Sequence, residues 1–310
     1  MSNIEPINQT KLFGLDKYLF ELIKLYNDKN FPNKLLLSGL KGSGKSTLAF
    51  HIINYILSKN QEYSYQLNNF EINPMNQSFK TVVNKSNPNL LTLDVKNDKK
   101  FIDINQIREL LINLNKSSFN DKPRIVLIDN IDFLNVNSVN ALLKVLEEPN
   151  DNVYFILINN NKKTLSTLLS RCINFRIYLT NKEVIQIAEK LIKKKINKTL
   201  NDDLINYYLT PGNLFRLVKF AEANDYNLLD YNLKSFLRIL IKEKHYKKDL
   251  SMKYMIFDFI EFYFRKINSS ISLSIFDKYS YFLKRKSDTK KYNLDEETFF
   301  TEFEEEILNG

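Results

Sequence analysis

Residues 34–50, with the sequence KLLLSGLKGSGKSTLAF, contain the stretch that decides the fold. The segment from Gly39 to Ser46 matches the pattern G-x-x-x-x-G-K-[ST] in full. Its glycines allow the backbone to wrap closely, so that successive N–H groups can point at phosphate oxygens. Three of the six glycines in the chain fall in this loop, which argues against a chance match. The stretch therefore predicts a phosphate-binding P-loop between a strand and a helix.

The chemistry of this loop predicts ATP and Mg²⁺ as ligands. The lysine of the motif reaches the β- and γ-phosphates, and the hydroxyl that follows it ligates Mg²⁺. A second carboxylate is supplied by Asp129, which ends the apolar run RIVLID and is expected to hold Mg²⁺ through water. The predicted nucleotide-binding residues of the loop are Gly39, Gly42, Ser43, Gly44, Lys45, Ser46 and Thr47, with Ser46 and Asp129 at the metal.

The first 180 residues alternate short apolar runs with longer amphipathic segments, which is the α/β pattern. The predicted strands are residues 34–38, 89–95, 124–129, 153–158 and 174–179. The predicted helices between them are residues 47–57, 103–115 and 137–148, the last one capped by Asn137 and stopped by Pro149. A parallel sheet with helices on both faces is the expected assembly.

After Thr180 the strand pattern ends and the segments have helical periodicity. We expect a nucleotide-binding domain over residues 1–179, a small helical lid over 180–224 and a separate all-α domain over 225–310. The final helix is expected to start at residues 293–295 and to carry acidic residues.

Composition excludes several classes of protein. No apolar run approaches the roughly 20 residues that span a bilayer, and the N-terminus lacks the layout of a signal peptide, so a cytoplasmic protein is expected. The single cysteine, Cys172, and two distant histidines, His51 and His245, do not form a metal-ligand pattern. The net charge of +9 suggests attraction to polyanions such as DNA, but the general bias towards Lys and Asn explains it as well.

Residues 125–149, IVLIDNIDFLNVNSVNALLKVLEEP, resemble the same stretch of bacterial DNA polymerase clamp-loader subunits, which are AAA+ proteins. The segment LSRC at residues 169–172 matches the Ser-Arg-Cys motif of that family, and IDINQIREL at 102–110 and YNLDEE at 292–297 resemble further parts of it. The resemblance covers most of the first 220 residues and is weaker beyond them.

Within that family the chain is most similar to the delta-prime kind rather than to the gamma/tau motors. The motors resemble one another in having Asp-Glu where this chain has Asp129 and Asn130, and they carry a Cys-rich module where residues 58–89 contain no cysteine. An amide cannot act as a general base near neutral pH. The resemblance therefore implies that this site binds ATP and hydrolyses it little.

The resemblance also assigns roles outside the loop. It implies that Arg171 is an arginine finger that contacts the γ-phosphate held by a neighbouring subunit, a task that suits a planar, permanently charged group. It implies a polar sensor at Asn159, with Asn160 as the alternative. Arg216, four residues after Gly212, is the corresponding lid arginine, and its offset leaves open whether it reaches nucleotide.

The expected partners are the gamma/tau motor and delta subunits, with the sliding clamp and primer-template DNA contacted through the complex. The chain is thus expected to be part of a DNA polymerase holoenzyme, with a weak ATPase activity of its own or none. One alternative is an active motor of the same superfamily, in which Asp132 or a partner residue replaces the missing glutamate. A nucleotide or small-molecule kinase is disfavoured, because no arginine-rich lid for a second phosphate substrate is visible.

Overall fold

The computed structural model describes residues 5–95, 101–114, 120–147, 152–160, 166–205, 210–248, 250–267, 273–292 and 294–309. The chain divides into two compact units. The first contains Met1–Lys193 together with Thr210–Arg216, and the second contains Lys194–Leu209 together with Leu217–Gly310.

The first unit contains the five-stranded parallel sheet that the sequence predicts, in the order β2-β3-β4-β1-β5. The strand bounds are β1 Lys34–Ser38, β2 Leu90–Leu93, β3 Arg124–Ile128, β4 Val153–Asn159 and β5 Ile173–Arg176. In this order β4 separates the strand before the P-loop from the strand before Asp129. Because all five strands are parallel, the segments that follow them meet at one edge of the sheet.

Alternate residues of the strands enter two different apolar cores, one on each face of the sheet. Leu35 and Leu37 pack in the first core with the helices before and after β1, whereas Leu36 packs in the second. The same alternation separates Ile125 from Val126 in β3. The sheet is therefore covered on both sides, which parallel strands with apolar residues on both faces require.

The helices of this unit begin and end close to the predicted positions, and one predicted cap is corrected. The helices are α1 Asp16–Asn27, α2 Lys45–Ser58, α3 Gln77–Val83, α4 Ile104–Leu114, α5 Val136–Glu147, α6 Ser166–Leu169 and α7 Asn181–Ile192. Asn137 does not cap α5, because the helix starts at Val136 and the side chain of Asn135 accepts the Ser138 N–H at 2.8 Å. The predicted stop at Pro149 lies outside the described residues.

The last strand is shorter than predicted. β5 ends at Arg176 instead of residue 179, because β1, on which it pairs, ends at Ser38 and turns into the P-loop. One further bond, from the Ile177 N–H to the Ser38 carbonyl at 2.8 Å, closes the ladder.

The second unit is helical, as predicted for the C-terminal part. Its helices are α8 Asp202–Ile205, α10 Leu233–Lys242, α11 His245–Lys248, α12 Leu250–Ile267, α13 Leu273–Tyr292 and α14 Glu296–Phe303, while α9 Pro211–Ala223 begins in the first unit. Its core is rich in buried phenylalanines, among them Phe257, Phe282 and Phe300. The predicted start of the final helix is confirmed, since Asp295 accepts the N–H groups of Glu297 and Thr298.

Among the described residues, the structure contains no helix whose length and apolar character would let it cross a membrane.

Candidate functional site

The P-loop joins β1 to α2, and its three glycines adopt backbone angles that favour glycine. Gly39, Gly42 and Gly44 have φ values of 150°, 84° and 91°. A Cβ atom at Gly42 would lie 2.4 Å from the Thr210 hydroxyl oxygen, and one at Gly39 would lie 2.5 Å from the Ile177 carbonyl oxygen. The loop thus needs glycine for both its conformation and its close neighbours.

Lys45 is the first residue of α2 and its side chain is folded into the loop. Its ammonium group donates to the carbonyl oxygens of Gly39 at 3.0 Å and Leu40 at 2.7 Å. Burial lowers the pKa of Lys45 to about 8, although the nearby carboxylates of Asp129 and Asp132 act in the opposite direction. A largely desolvated cation at this position favours an anionic ligand such as a phosphate.

Ser46 and Asp129 lie together although they are far apart in the sequence. The Ser46 hydroxyl donates to the Asp129 carboxylate at 2.5 Å. Burial raises the pKa of Asp129, while the bonds from Ser46 and from the Asn130 N–H lower it by less. Hydroxyl and carboxylate oxygens are the ligands that Mg²⁺ prefers, so the two residues fit a nucleotide-bound magnesium ion.

The middle of the P-loop also contacts the start of α9 and the residue before it. The Thr210 hydroxyl donates to the Lys41 carbonyl at 2.9 Å, and the Gly212 N–H donates to the Gly42 carbonyl at 2.9 Å. Arg216 follows one turn later on α9 and is half-buried. The structure therefore brings the segment with the predicted lid arginine to the phosphate loop.

Asn130 occupies the position after Asp129 and has a left-handed backbone, with φ 56°. Its amide nitrogen donates to the Asp94 carboxylate at 2.7 Å, and its amide oxygen accepts from the Asn160 side chain at 2.7 Å. The Asn160 N–H in turn donates to Asp132 at 3.1 Å. We call Asp94, Asn130, Asn160 and Asp132 the amide–carboxylate chain.

The two candidate sensor asparagines lie in different surroundings. Asn159 is the last residue of β4, is buried and pairs in register with Ser38 of β1. Asn160 contacts Asn130 directly, so the tertiary structure gives the alternative candidate a place at the site. Asp94 was not singled out from the sequence. Its place as the first residue after β2 was the available signal, because strand ends meet at this edge.

Arg171 follows α6 and is held at the surface. Its guanidinium contacts Glu147 at 2.6 and 3.0 Å and donates to the Thr167 carbonyl at 2.8 Å. One third of its side chain is exposed. Beside it, Cys172 is half-buried, and burial raises the pKa of its thiol to about 11, so it is a packing residue rather than a reactive one.

The two histidines make side-chain contacts with tyrosines. His51 contacts the Tyr65 hydroxyl at 2.8 Å, and His245 contacts the Tyr226 hydroxyl at 2.8 Å. Within the part of the chain that the structure describes, no group of three or more His, Cys, Asp or Glu residues is placed to bind a metal.

The parallel sheet and the loop at its edge define a P-loop protein of the α/β class. Residues 15–181 match the family described as DNA polymerase III, delta subunit. The match covers more than half of the chain, and the chain therefore belongs to this family. Membership confirms the resemblance to bacterial DNA polymerase III subunits that the sequence motifs indicated.

Individual relatives include both kinds of subunit. The chain is 28% identical over 212 residues to DNA polymerase III subunit gamma/tau of Mycoplasma genitalium, covering 67% of this chain and 34% of that protein. It is 34% identical over 160 residues to subunit delta' of Buchnera aphidicola subsp. Baizongia pistaciae, covering 51% and 46%. With subunit delta' of Buchnera aphidicola subsp. Schizaphis graminum it shares 25% over 288 residues, covering 88% and 82%. The chain thus spans between a third and a half of the length of the first two relatives.

Two solved structures share 17% sequence identity with the chain. A DNA polymerase III gamma subunit-related protein from Thermotoga maritima aligns over 83% of this chain and 77% of its own, with a TM-score of 0.42. The Thermotoga maritima RuvB Holliday junction branch migration motor aligns over 77% and 79%, also with a TM-score of 0.42.

Proposed function

We propose that this chain is a delta-prime-like clamp-loader subunit that binds ATP with Mg²⁺ and hydrolyses it little. The observation that carries the proposal is the combination of a complete phosphate loop with an amide, Asn130, at the position after Asp129. Lys45, Ser46 and Asp129 are grouped to hold a nucleotide and its metal ion. An amide beside them cannot accept a proton from water near neutral pH.

Arg171 is the residue proposed to act on ATP, in the site of a neighbouring gamma/tau motor subunit. Its guanidinium lies at the surface, and its ion pair with Glu147 is partly exposed to solvent. Ion pairs that solvent reaches contribute at most about 1 kcal/mol. Arg171 therefore loses little stabilisation when a phosphate replaces Glu147 as its partner. A permanently charged fork then stabilises the charge on a transferring phosphoryl group.

The proposal includes the assembly. The partners are gamma/tau motor and delta subunits, and the complex loads the sliding clamp on primed DNA in the cytoplasm, as part of a polymerase holoenzyme. Residues 180–224 act as the helical lid of the nucleotide site and residues 225–310 as the collar that joins the subunits. Asn159 is the sensor and Arg216 the lid arginine. The membership of the family and the named relatives support this assembly.

The test of the finger is a complex reconstituted from this chain with its gamma/tau and delta partners. Arg171→Ala is expected to lower the DNA-stimulated ATPase activity of the complex about tenfold or more, while the subunits still assemble on a sizing column. Arg176→Ala, which removes an exposed arginine of β5, is the matched control and is expected to keep activity. Full activity of the Arg171→Ala complex would remove the assignment.

A second candidate function is a gamma/tau-like motor with its own ATPase activity. The intact P-loop and the 28% identity to a gamma/tau subunit over 67% of this chain favour it. Comparison of ATP turnover by the wild type and by Asn130→Glu discriminates between the passive subunit and the motor. A slow wild type that the substitution accelerates supports the passive site, and a wild type that is already fast and unchanged by it supports the motor.

A further inference from the structure

The carboxylate of Asp94, which no sequence motif indicates, lies beside Asn130. Leu93 of β2 is in register with Ile128 of β3, and the Asp129 N–H donates to the Leu93 carbonyl at 2.9 Å. Asp94 and Asn130, the residues that follow the two partners of this bond, lie side by side and are joined by the 2.7 Å bond between the Asn130 amide and the Asp94 carboxylate.

Two further bonds hold Asp94 in this place. The Val95 N–H donates to the same carboxylate oxygen at 2.7 Å, and the Gln106 side chain donates to the Asp94 carbonyl at 3.3 Å. On the other side of Asn130, the Asn160 amide fixes the orientation of the Asn130 side chain. The amide–carboxylate chain thus orients Asn130 so that its donor faces the Asp94 carboxylate.

Asp94 directly follows the residue that bonds to Asp129, the proposed metal ligand. The residue before it, Leu93, accepts the Asp129 N–H through its carbonyl, and the Asp129 carboxylate in turn accepts the Ser46 hydroxyl. Asp94 is exposed, which leaves it open to water.

We propose that Asp94 is the catalytic carboxylate of a slow ATP hydrolysis by this chain, with Asn130 as its positioning residue. The inference rests on the proposed nucleotide site. The Asp94 carboxylate takes a proton from the attacking water, whose oxygen forms a bond to the γ-phosphorus. The bond between that phosphorus and the bridging oxygen breaks, its electron pair leaves with ADP, and the proton passes on to the released phosphate.

The same contacts explain why this hydrolysis is slow. One carboxylate oxygen of Asp94 already accepts two N–H groups, so this oxygen has less capacity left to accept a hydrogen bond from the attacking water. The group also reaches the site from β2 rather than from β3, beside the metal ligand. Proton abstraction is therefore retained at reduced efficiency, which is compatible with a subunit that mainly binds ATP.

The central variant is Asp94→Asn, which keeps the shape and the acceptor for Asn130 but cannot take a proton. Its affinity for a fluorescent ATP analogue is expected to stay within about twofold of the wild type. Its single-turnover rate is expected to fall about tenfold or more, the lower range for a general base. Its affinity for ADP with aluminium fluoride, which imitates the transferring phosphoryl group, is expected to fall as well, a readout that does not depend on turnover.

An exchange variant tests the role of the pair. The double substitution D94N/N130D moves the carboxylate to the position after Asp129 without changing net charge or shape, and it is expected to restore turnover to at least the wild-type rate. Glu21→Gln, which removes an exposed carboxylate of α1, is the matched control. Asp132→Asn addresses the other carboxylate of the amide–carboxylate chain.

Three results would overturn the inference: a wild type that binds ATP without measurable turnover, an unchanged rate in Asp94→Asn, or a loss in Asp132→Asn in place of Asp94→Asn. None of them affects the proposed passive binding or the Arg171 finger. Failure of the wild type to bind ATP would instead contradict the proposed nucleotide site, and this inference with it.

Discussion

At the scale of single residues, the site consists of groups that the sheet order brings together. Ser46 follows β1 and Asp129 follows β3, and the two strands are separated by β4, yet their oxygens lie 2.5 Å apart. The contact exists because all the strands end at the same edge and the P-loop folds back over it. A small change at either residue should therefore affect the metal-dependent part of nucleotide binding alone.

We expect Ser46→Ala to weaken Mg²⁺-dependent ATP binding about tenfold, the equivalent of about 1.4 kcal/mol, because one oxygen ligand is lost. Titration calorimetry with ATP in the presence and absence of Mg²⁺ measures the effect. Ser46→Thr, which keeps the hydroxyl, is expected to bind like the wild type. Equal loss with and without Mg²⁺ would contradict the role in metal binding.

A second prediction at this scale concerns pH and stability. Burial of His51 lowers its pKa to about 4, from 6.5. Between these values the unfolded chain binds a proton that the folded chain does not, so the free energy of unfolding falls as pH falls from 6.5 towards 4. The full effect is on the order of 3 kcal/mol.

The comparison that isolates this effect is the wild type against His51→Gln. Urea unfolding of both proteins at several pH values is expected to show a steeper loss for the wild type in this window, because Gln does not titrate. Parallel curves for the two proteins would show that His51 does not contribute.

At the scale of elements, capping interactions decide where several helices begin. α7 starts at a capping box, in which the Thr180 hydroxyl accepts the Glu183 N–H at 3.3 Å and the Glu183 carboxylate accepts the Thr180 N–H at 2.8 Å. Such reciprocal bonds satisfy N–H groups that the helix itself leaves unpaired. The lid helix of the proposed function thus has a defined start in an exposed segment.

Thr180→Ala is expected to destabilise the first unit by about 1 kcal/mol, since it removes the capping oxygen. Thr180→Ser keeps that oxygen and is expected to remain within a few tenths of the wild type. Urea unfolding followed by circular dichroism gives both values. An equal loss in the two variants would point to the methyl group rather than to the cap.

At the scale of the whole molecule, charge is the property that bears on partners. The net charge of +9 comes from 45 basic and 36 acidic residues, and the basic ones are mostly lysines. A charge excess of this kind attracts nucleic acid without reading its sequence.

We expect the isolated chain to bind duplexes of unrelated sequence with equal, low affinity. An increase in salt from 50 to 200 mM should weaken this binding about tenfold or more, because released counterions drive it. Fluorescence anisotropy with two labelled duplexes measures both properties. A clear preference for one duplex, or insensitivity to salt, would instead indicate a dedicated DNA-binding surface.

The sequence by itself determined the P-loop, the parallel sheet and the helical C-terminal part, because these follow from local rules. Glycine spacing, apolar runs and helical periodicity act over a few residues, and the structure confirms β1 at Lys34–Ser38 as predicted. Local reasoning was less accurate where a neighbour sets the limit, as at the end of β5 and at the cap of α5.

Only the tertiary structure decided which polar side chains meet at the edge of the sheet. Ser46 with Asp129 and Asp94 with Asn130 are each separated by more than thirty residues in the chain. The order of strands β2, β3, β4 and β1 fixes these pairs, and that order cannot be read from a single sequence. For this reason Asn130 was visible from the sequence as a missing base, while the carboxylate beside it became visible only when β2 was placed against β3.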